Sequence, residues 1–513
     1  MIDSRQVSDF RRQSPTRGTA ASSFRPDWVP VKFPEARYPF LSASTRDLIE
    51  SRDPATNELV ALARSSSESD VEEAVGRAHT VADRPAEWAR QPARRAGVLL
   101  RFAASLRAAE DRLATLLTRE EGKTIREARI EVTKAAALFE YYAGLCRGIE
   151  GRVFSVSDSA DAVVMRQPLG VVAVIVPWNS PLILLARALA PALAAGNACV
   201  VKPASLTPAI TVEALSLLAT DPDLPRGTLS CVCGTGPTVG EALVGHHGVD
   251  MVSFTGASTS GTAVMKRAAD GLKKVCLELG GKSPNIVFAD APFDKAVSGV
   301  RQGILGDSGQ SCTAGSRLLL QDTIYDRFLD SLTSAFHEVR VGDGLDPTTN
   351  MGPLVSQHQK DVVCSYVALA RQEGTVRFGG EDYRPDGYDD GFFVTPAIVT
   401  DVSVKARVVR EEIFGPVLTV QRFDTEDDAV QLANDCDFGL AAAVWTRDVE
   451  QCLRVARQLN AGTVWINTYH HYYPEVEGGG FKASGIGRQQ GISGLLEYTH
   501  TKHVNFDTAP TLW

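Results

Sequence analysis

The sequence predicts an α/β protein organised around two sheets, and three observations carry that prediction. At 513 residues the chain is longer than one hydrophobic core usually serves, so two or three lobes are expected. From Val171 onward, short apolar, β-branched runs alternate with segments able to form helices, the pattern of parallel strands joined by crossover helices. Ahead of them, the region from about 67 to 148 reads as packed helices that need a sheet to lie on.

The elements follow in chain order. Met1 to Pro39 is rich in Ser, Arg and Pro and lacks the apolar segment of a secretory signal, so residues 1–45 are expected to form a flexible extension. Ser67-Glu-Ser-Asp70 has the form of a capping box, and Val71, Ala74, Val75 and Ala78 follow at helical spacing. Ala93 to Thr118 and Ile125 to Cys146 continue the helical pattern. The first strand series is Val171–Val176, Ala198–Val201, Leu229–Val232 and Met251–Phe254. These runs end in Pro177-Trp-Asn179, Lys202-Pro203, Gly234-Thr-Gly236 and Thr255-Gly256, which should line one cleft, because open α/β sheets bind ligands beyond the carboxyl ends of their strands. A second series, Asn285–Phe288, Arg317–Leu320, Val417–Val420, Ala442–Trp445 and Val464–Asn467, predicts a second α/β lobe. Two strand-like stretches, Gly151 to Gln167 and Thr501–Phe506, belong to neither lobe. Left isolated they would expose open edges, a liability that pairing with another subunit removes.

Bulk properties narrow the function. A composition of 44% hydrophobic and 22% charged residues is that of an ordinary soluble globular protein. The net charge of -9 gives no electrostatic reason to expect a nucleic acid or an anionic membrane as partner, and a small molecule fits better. No apolar run approaches the roughly 20 residues that span a bilayer, the longest being interrupted by Arg187 or Pro191. The expected address is a bacterial cytoplasm or a eukaryotic cytosol. Nine cysteines with no CxxC pair do not make a disulfide scaffold, and most, such as Cys199 and Cys276, read as buried small hydrophobes.

Cys312 differs. In Gly309-Gln-Ser-Cys312-Thr-Ala-Gly-Ser-Arg317 it stands among small and polar residues in a Gly-rich turn before a strand, where an exposed thiol near backbone donors would have its thiolate stabilised for attack on an electrophile. In Leu277-Glu278-Leu-Gly-Gly-Lys-Ser-Pro-Asn285 a carboxylate lies between two leucines, which raises its pKa and makes it a candidate general base; the alternative is an exposed strand-end glutamate. Asn179, at a strand end, offers an amide to a developing oxyanion or else caps a helix. Phe254-Thr-Gly256-Ala-Ser-Thr-Ser-Gly261 ends a strand and opens a helix whose free N–H groups suit a pyrophosphate, although it is not the GxGxxG fingerprint. No zinc-ligand cluster stands out.

In order along the chain, Pro177-Trp-Asn, Lys202-Pro, Phe254-Thr-Gly, Glu278-Leu-Gly-Gly-Lys, Gly309-Gln-Ser-Cys, Glu411-Glu-Ile-Phe-Gly-Pro416 and Gly480-Phe-Lys-Ala-Ser-Gly-Ile-Gly-Arg488 resemble the motifs of the aldehyde dehydrogenase superfamily. The resemblance runs from about Asp53 to Val504. It implies that Cys312 is the nucleophile, that Glu278 is the general base, and that Asn179 with the Cys312 backbone N–H forms the oxyanion hole. It implies NAD or NADP as cofactor, with contacts from Trp178, Lys202, Gly256, Glu412 and Phe414, the last two at the nicotinamide ribose. Pro177, Ser205, Gly234, Thr255, Gly261 and Leu279 are further cofactor-binding candidates. The implied fold has a Rossmann-like coenzyme domain (46–150 and 168–277), an α/β catalytic domain (278–480) and a small β oligomerisation extension (151–167 and 490–513) that makes homodimers or homotetramers. The implied reaction oxidises an aldehyde to a carboxylic acid through a thiohemiacetal and a thioester, the latter hydrolysed by Glu278-activated water.

Three positions depart from the family pattern. Lys202-Pro-Ala-Ser205 has serine where relatives carry a glutamate that grips the adenosine ribose; a carboxylate would repel a 2′-phosphate and serine would not, so NADP is permissible. Gly478 replaces a common tunnel aromatic, while Tyr472, in Tyr469-His-His-Tyr-Tyr473, falls where the family often has a pocket aromatic. Betaine-aldehyde dehydrogenase-like relatives have a similar segment; the tunnel here is either wider, or the His470, His471 and tyrosine stretch is a plain surface loop. Gln489 replaces the glutamate that usually follows Gly-x-Gly-Arg, which removes any proton relay built on it. Two other readings compete. A coenzyme A-acylating member of the family is opposed by Glu278, which such members usually lack. A non-catalytic binding or structural derivative is opposed by the intact set of Cys312, Glu278 and Asn179.

Overall fold

A computed structural model describes residues 30–33, 38–45 and 47–507. Its first sheet has seven strands in the spatial order Leu41–Ser42, Leu229–Val232, Ala198–Lys202, Val171–Ile175, Met251–Thr255, Lys274–Glu278 and Gly485–Ile486. All are parallel except the last, which runs antiparallel to Lys274–Glu278. After the edge strand Leu41–Ser42, the chain re-enters the sheet at Val171–Ile175, steps outward to one side, then returns to the other at Met251–Thr255. The reversal between those two strands opens a crevice at their carboxyl ends, where such sheets bind ligands.

Helices cover this sheet, and local signals explain their ends. Ser67 and Asp70 form the anticipated capping box on Glu68–Ala82, and Thr124 with Glu127 forms another on Ile125–Leu145. Left-handed glycines close two helices, Gly122 after Glu110–Glu121 and Gly196 after Pro181–Ala195. The Pro181–Ala195 helix is buried along nearly its whole length, which explains its apolar run. Among the described residues, no helix is long and apolar enough to cross a membrane.

The second sheet has the order Thr375–Gly379, Ala397–Thr400, Val417–Phe423, Arg317–Gln321, Pro284–Val287, Ala441–Trp445 and Thr463–Ile466. Only its Thr375–Gly379 edge is antiparallel. All nine strands read from apolar runs are present. Val417–Phe423 outlasts its run because Gln421 and Arg422 keep pairing with Leu319 and Leu320.

Two expectations are corrected. The stretches thought isolated pair with each other: Arg152–Ser157, Ala160–Pro168 and Thr499–Asp507 form one antiparallel three-stranded sheet. Its Arg152–Ser157 edge is exposed at every position. Secondly, residues 38–45, assigned to the flexible extension, belong to the first core: Tyr38 and Phe40 are buried, and Leu41–Ser42 pairs with Leu229–Val232. Residues 1–29 and 34–37 of that extension, and 508–513 of the C-terminal segment, lie outside the described residues.

Candidate active site

Cys312 lies in the connection between the helix Phe293–Leu305 and the strand Arg317–Gln321. The backbone leading to it is left-handed at three successive residues, Asp307, Ser308 and Gly309, with φ of 50°, 56° and 72°. Such conformations cost on the order of 1–3 kcal/mol each for non-glycine residues and persist only where the surroundings fix them. Here the anchors are specific: Asp307 N–H donates to Glu127 at 3.0 Å, Ser308 Oγ donates to Gly352 O at 2.9 Å, and Val355 N–H donates to Gln310 Oε1 at 2.9 Å.

The thiol itself is half-buried, unlike the exposed, thiolate-stabilising setting expected from its neighbours. Burial pushes it up to about 12; the Glu278 and Glu412 charges push the same way, and Arg187 pulls against them. The polar residues beside Cys312 in sequence turn to other partners, so the fold keeps the resting group protonated.

Glu278 ends the strand Lys274–Glu278, paired with Thr255 on one side and Gly485 on the other. It is 6% exposed, so it is a buried carboxyl rather than a surface strand end. Burial raises its pKa to about 7, and one carboxyl oxygen, Oε1, has no hydrogen-bond partner. The Gly280-Gly281 turn beyond it lies against the thiol loop so closely that a Cβ on Gly281 would strike the Cys312 carbonyl. Glu412 closes the same corner, accepting the Gly281 N–H at 3.0 Å, and burial lifts its pKa to about 7 as well.

Asn179 is buried and does not cap the following helix, whose N-cap is Ser180. Its Nδ2 donates to Gln310 O at 3.0 Å, which uses one amide hydrogen and fixes the side chain beside the Cys312 loop. From below, the Lys123 ammonium donates to Asn179 O at 2.7 Å, to Glu131 at 2.8 Å and to Asp307 at 3.1 Å. One buried cation thus ties both segments together, and the surrounding carboxylates hold its pKa well above the ordinary lysine value despite burial.

The aromatic segment is not a plain surface loop. Tyr469 is buried and donates to Thr313 O at 2.9 Å, and Tyr472 donates to Thr313 Oγ1 at 2.8 Å, next to Cys312. Trp465 packs edge-on against Tyr472 at 5.2 Å, and only His471 and Tyr473 of the five residues are exposed. Gly478 and Gln489 form an antiparallel bridge, each N–H donating to the other carbonyl at 2.9 Å. A Cβ at Gly478 would meet nothing closer than Gln490 Oε1 at 3.6 Å, so this position has open space.

The strand ends form the other half of the cleft. Trp178 and Phe414 meet edge to face at 5.3 Å, joining the first lobe to the second. Lys202 is buried and donates to Pro203 O at 3.0 Å, and Ser205 Oγ donates to Gly234 O at 3.0 Å, so two of the anticipated strand ends touch. Gly256 N–H donates to Glu278 O at 3.1 Å, linking Thr255-Gly256 to Glu278. The helix Ser258–Ala269 begins without a side-chain cap, leaving its first N–H groups for an anion. A Cβ on Gly261 would run into Leu279, so the glycine lets this helix sit close to the cleft. These residues fit a dinucleotide: an uncapped helix start for the pyrophosphate, a crevice at the sheet reversal, and aromatic and carboxylate groups on the far wall.

Sequence reasoning missed the Lys123, Glu131 and Asp307 cluster, and it missed Arg187, which was noted only as an interruption of an apolar run. Arg187 stands 4.9 Å over the Tyr472 ring and acts electrostatically on both Cys312 and Glu278. An arginine inside an otherwise apolar helix was the available signal.

Comparison with known proteins agrees with this geometry. The chain matches the aldehyde dehydrogenase family over residues 40–504. It is 38% identical over 475 residues to a betaine aldehyde dehydrogenase of Bacillus subtilis, covering 92% of this chain and 96% of that one. It is 39% identical over 487 residues to a hydroxyisobutyraldehyde dehydrogenase of Mycolicibacterium austroafricanum, covering 94% and 93%. A crystal structure of betaine aldehyde dehydrogenase from Staphylococcus aureus in complex with NAD+ superimposes with a TM-score of 0.90 at 37% identity, over 92% of this chain and 94% of that one. The α/β fold with its two mainly parallel sheets, the ordered motifs and these matches together make the chain an enzyme of the aldehyde dehydrogenase family.

Proposed function

We propose that this enzyme oxidises an aldehyde to the free carboxylic acid, with Cys312 as nucleophile, Glu278 as general base and Asn179 as oxyanion donor. The observation that carries the reading is Glu278: a buried carboxyl with a pKa near 7 and an unpaired oxygen, within electrostatic reach of the thiol. A base poised near neutral pH takes a proton from water. Cys312 gives its proton to water in the site, and the thiolate attacks the carbonyl carbon. The second Asn179 amide hydrogen and the Cys312 backbone N–H hold the resulting oxyanion. The nicotinamide, when bound, supplies the two-electron acceptor that turns the thiohemiacetal into a thioester. Glu278 then takes a proton from water, whose oxygen attacks the thioester, releasing the acid and restoring the thiol. With Gln489 in place of a carboxylate, the proton leaves Glu278 through water.

Trp178, Lys202, Ser205 and the Ser258–Ala269 helix start would hold the dinucleotide, with Pro177, Gly234, Thr255, Gly256, Gly261 and Leu279 as its close walls. Glu412 and Phe414 would hold the nicotinamide end. Tyr472 and Gly478 border the aldehyde. NAD+ is the cofactor in the Staphylococcus aureus complex; Ser205, lacking a charge, admits NADP as well. Ser205→Glu should lower the NADP to NAD ratio of catalytic efficiencies by at least about tenfold, because the new carboxylate faces a 2′-phosphate. An unchanged ratio, or a wild-type preference for NAD of a thousandfold, sinks the NADP reading. The experiment for the function as a whole is an aldehyde panel with NAD and NADP, following nicotinamide reduction with and without coenzyme A, with Cys312→Ala as control.

We read the protein as a cytoplasmic homodimer or homotetramer. The exposed edge strand supports assembly, with Val153 70% and Val156 65% accessible on a sheet that has unpaired backbone groups. Light scattering on the full chain should give two or four copies; a monomer at micromolar concentration contradicts this.

A further inference from the structure

Arg187 stands within electrostatic reach of the thiol and Lys134 within reach of Arg187, and among the described residues neither has a counter-ion. Arg187 lies on the Pro181–Ala195 helix that follows Asn179, and Lys134 lies on Ile125–Leu145, which packs against it. The two are close enough to oppose each other: burial, and then the Arg187 charge, lower the Lys134 pKa. Arg187 stacks over the Tyr472 ring at 4.9 Å, and Tyr472 is hydrogen-bonded to Thr313, the neighbour of the nucleophile. Its Nε is buried with no hydrogen-bond partner. Among the described residues, neither cation has a carboxylate within ion-pair distance. The carboxylates that approach Lys134, Asp307 and Glu131, are engaged by Lys123. Glu278, the other carboxylate that feels Arg187, makes no ion pair with it.

Partly buried like charges without partners are unfavourable unless a ligand supplies the opposite sign. A guanidinium already covers one face of the Tyr472 ring, leaving less of it to attract a quaternary ammonium. A substrate held at Cys312 with its far end toward Arg187 therefore gains most from a negative group at that end.

We propose that Arg187, assisted by Lys134, is the specificity-determining site for an anionic group on the aldehyde, so that the substrate class is the oxo-carboxylates. The inference rests on Cys312 being the nucleophile. It separates this chain from the cationic aldehyde in the names of several relatives.

The test compares ω-oxocarboxylates of three to six carbons with n-alkanals of equal length and with betaine aldehyde, at fixed ionic strength. The best oxo-acid should exceed its matched alkanal in kcat/KM by at least about tenfold, the scale of one charge-assisted hydrogen bond, with betaine aldehyde the weakest. Arg187→Met should lower kcat/KM for the oxo-acid at least about tenfold more than for the alkanal, chiefly through KM, and Arg187→Lys should restore part of the loss. Equal losses on both aldehydes, which would mean that Arg187 only balances the charges of Cys312 and Glu278, overturn the proposal, as does a wild-type preference for betaine aldehyde. Calorimetric titration of Cys312→Ala with the corresponding dicarboxylate provides a readout independent of turnover. Binding that disappears in Cys312→Ala/Arg187→Met supports the anion site, and no binding in Cys312→Ala overturns it. Binding without turnover by the wild type would refute the Cys312 reading while leaving the anion site standing.

Discussion

Cys312→Ala is expected to lower kcat for aldehyde oxidation by at least roughly a thousandfold, the scale seen when a covalent nucleophile is removed, while the protein still binds NAD+. No other thiol is placed to take over. Cys276, the nearest in sequence to Glu278, is fully buried, and burial drives its pKa above the accessible range. Cys364 is half-buried and packs with Leu354, Val363 and Val367 in a separate cluster. The fold should tolerate the change, since the loop is held by Asp307, Ser308 and Gln310 rather than by the sulfur. Thermal unfolding and NAD+ titration distinguish loss of chemistry from loss of structure. Retention of even a tenth of the wild-type rate would remove Cys312 from its assigned role.

The second large effect belongs to Glu278→Gln. The substitution keeps shape and removes the base, so steady-state turnover should fall by about 10²–10⁴-fold, the range for general base catalysis. If deacylation suffers more than oxidation, one equivalent of nicotinamide is still reduced in a burst. In the wild type the basic form appears as pH rises through about 7, so turnover should rise across that interval, and this limb should vanish in the variant. Stability should change with the opposite dependence. The folded-state pKa is raised from 4.5 to about 7, so the fold favours the neutral acid: the associated stability is full below about 4.5 and is lost as pH rises through 7. Glu278→Gln should therefore match the wild type near pH 4 and exceed it at pH 8.5, by up to about 3 kcal/mol, read from urea midpoints. A variant destabilised equally at both pH values would argue against a buried, charge-penalised carboxyl.

The strands of both lobes were legible because a parallel strand buried on both faces is a continuous apolar run, as in Val171–Ile175, which is buried along nearly its whole length. Glu278 was legible for the same reason: its leucine neighbours are themselves buried, and that burial raises its pKa. Leu48–Arg52 and Leu59–Arg64, which join Val31–Lys32 in a third small sheet, escaped notice because the first of them is mostly exposed and carries Glu50 and Arg52. The setting of Cys312 was read wrongly because polar sequence neighbours say nothing about what packs over them. The Lys123 cluster escaped because its members are far apart in the chain; Lys123 and Asp307 are 184 positions apart. Arg187 was visible as a charge in an apolar helix, but only the fold sets it over Tyr472.

The central claim is that Cys312 carries the acyl group and Glu278 releases it. The most direct measurement is rapid quenching of Glu278→Gln after mixing with aldehyde and NAD+, followed by peptide mass analysis. The account predicts an acyl mass on the peptide containing Cys312, in an amount equal to the nicotinamide reduced in the burst. Free acid formed at the wild-type rate with no adduct, or an adduct on any other residue, would contradict it.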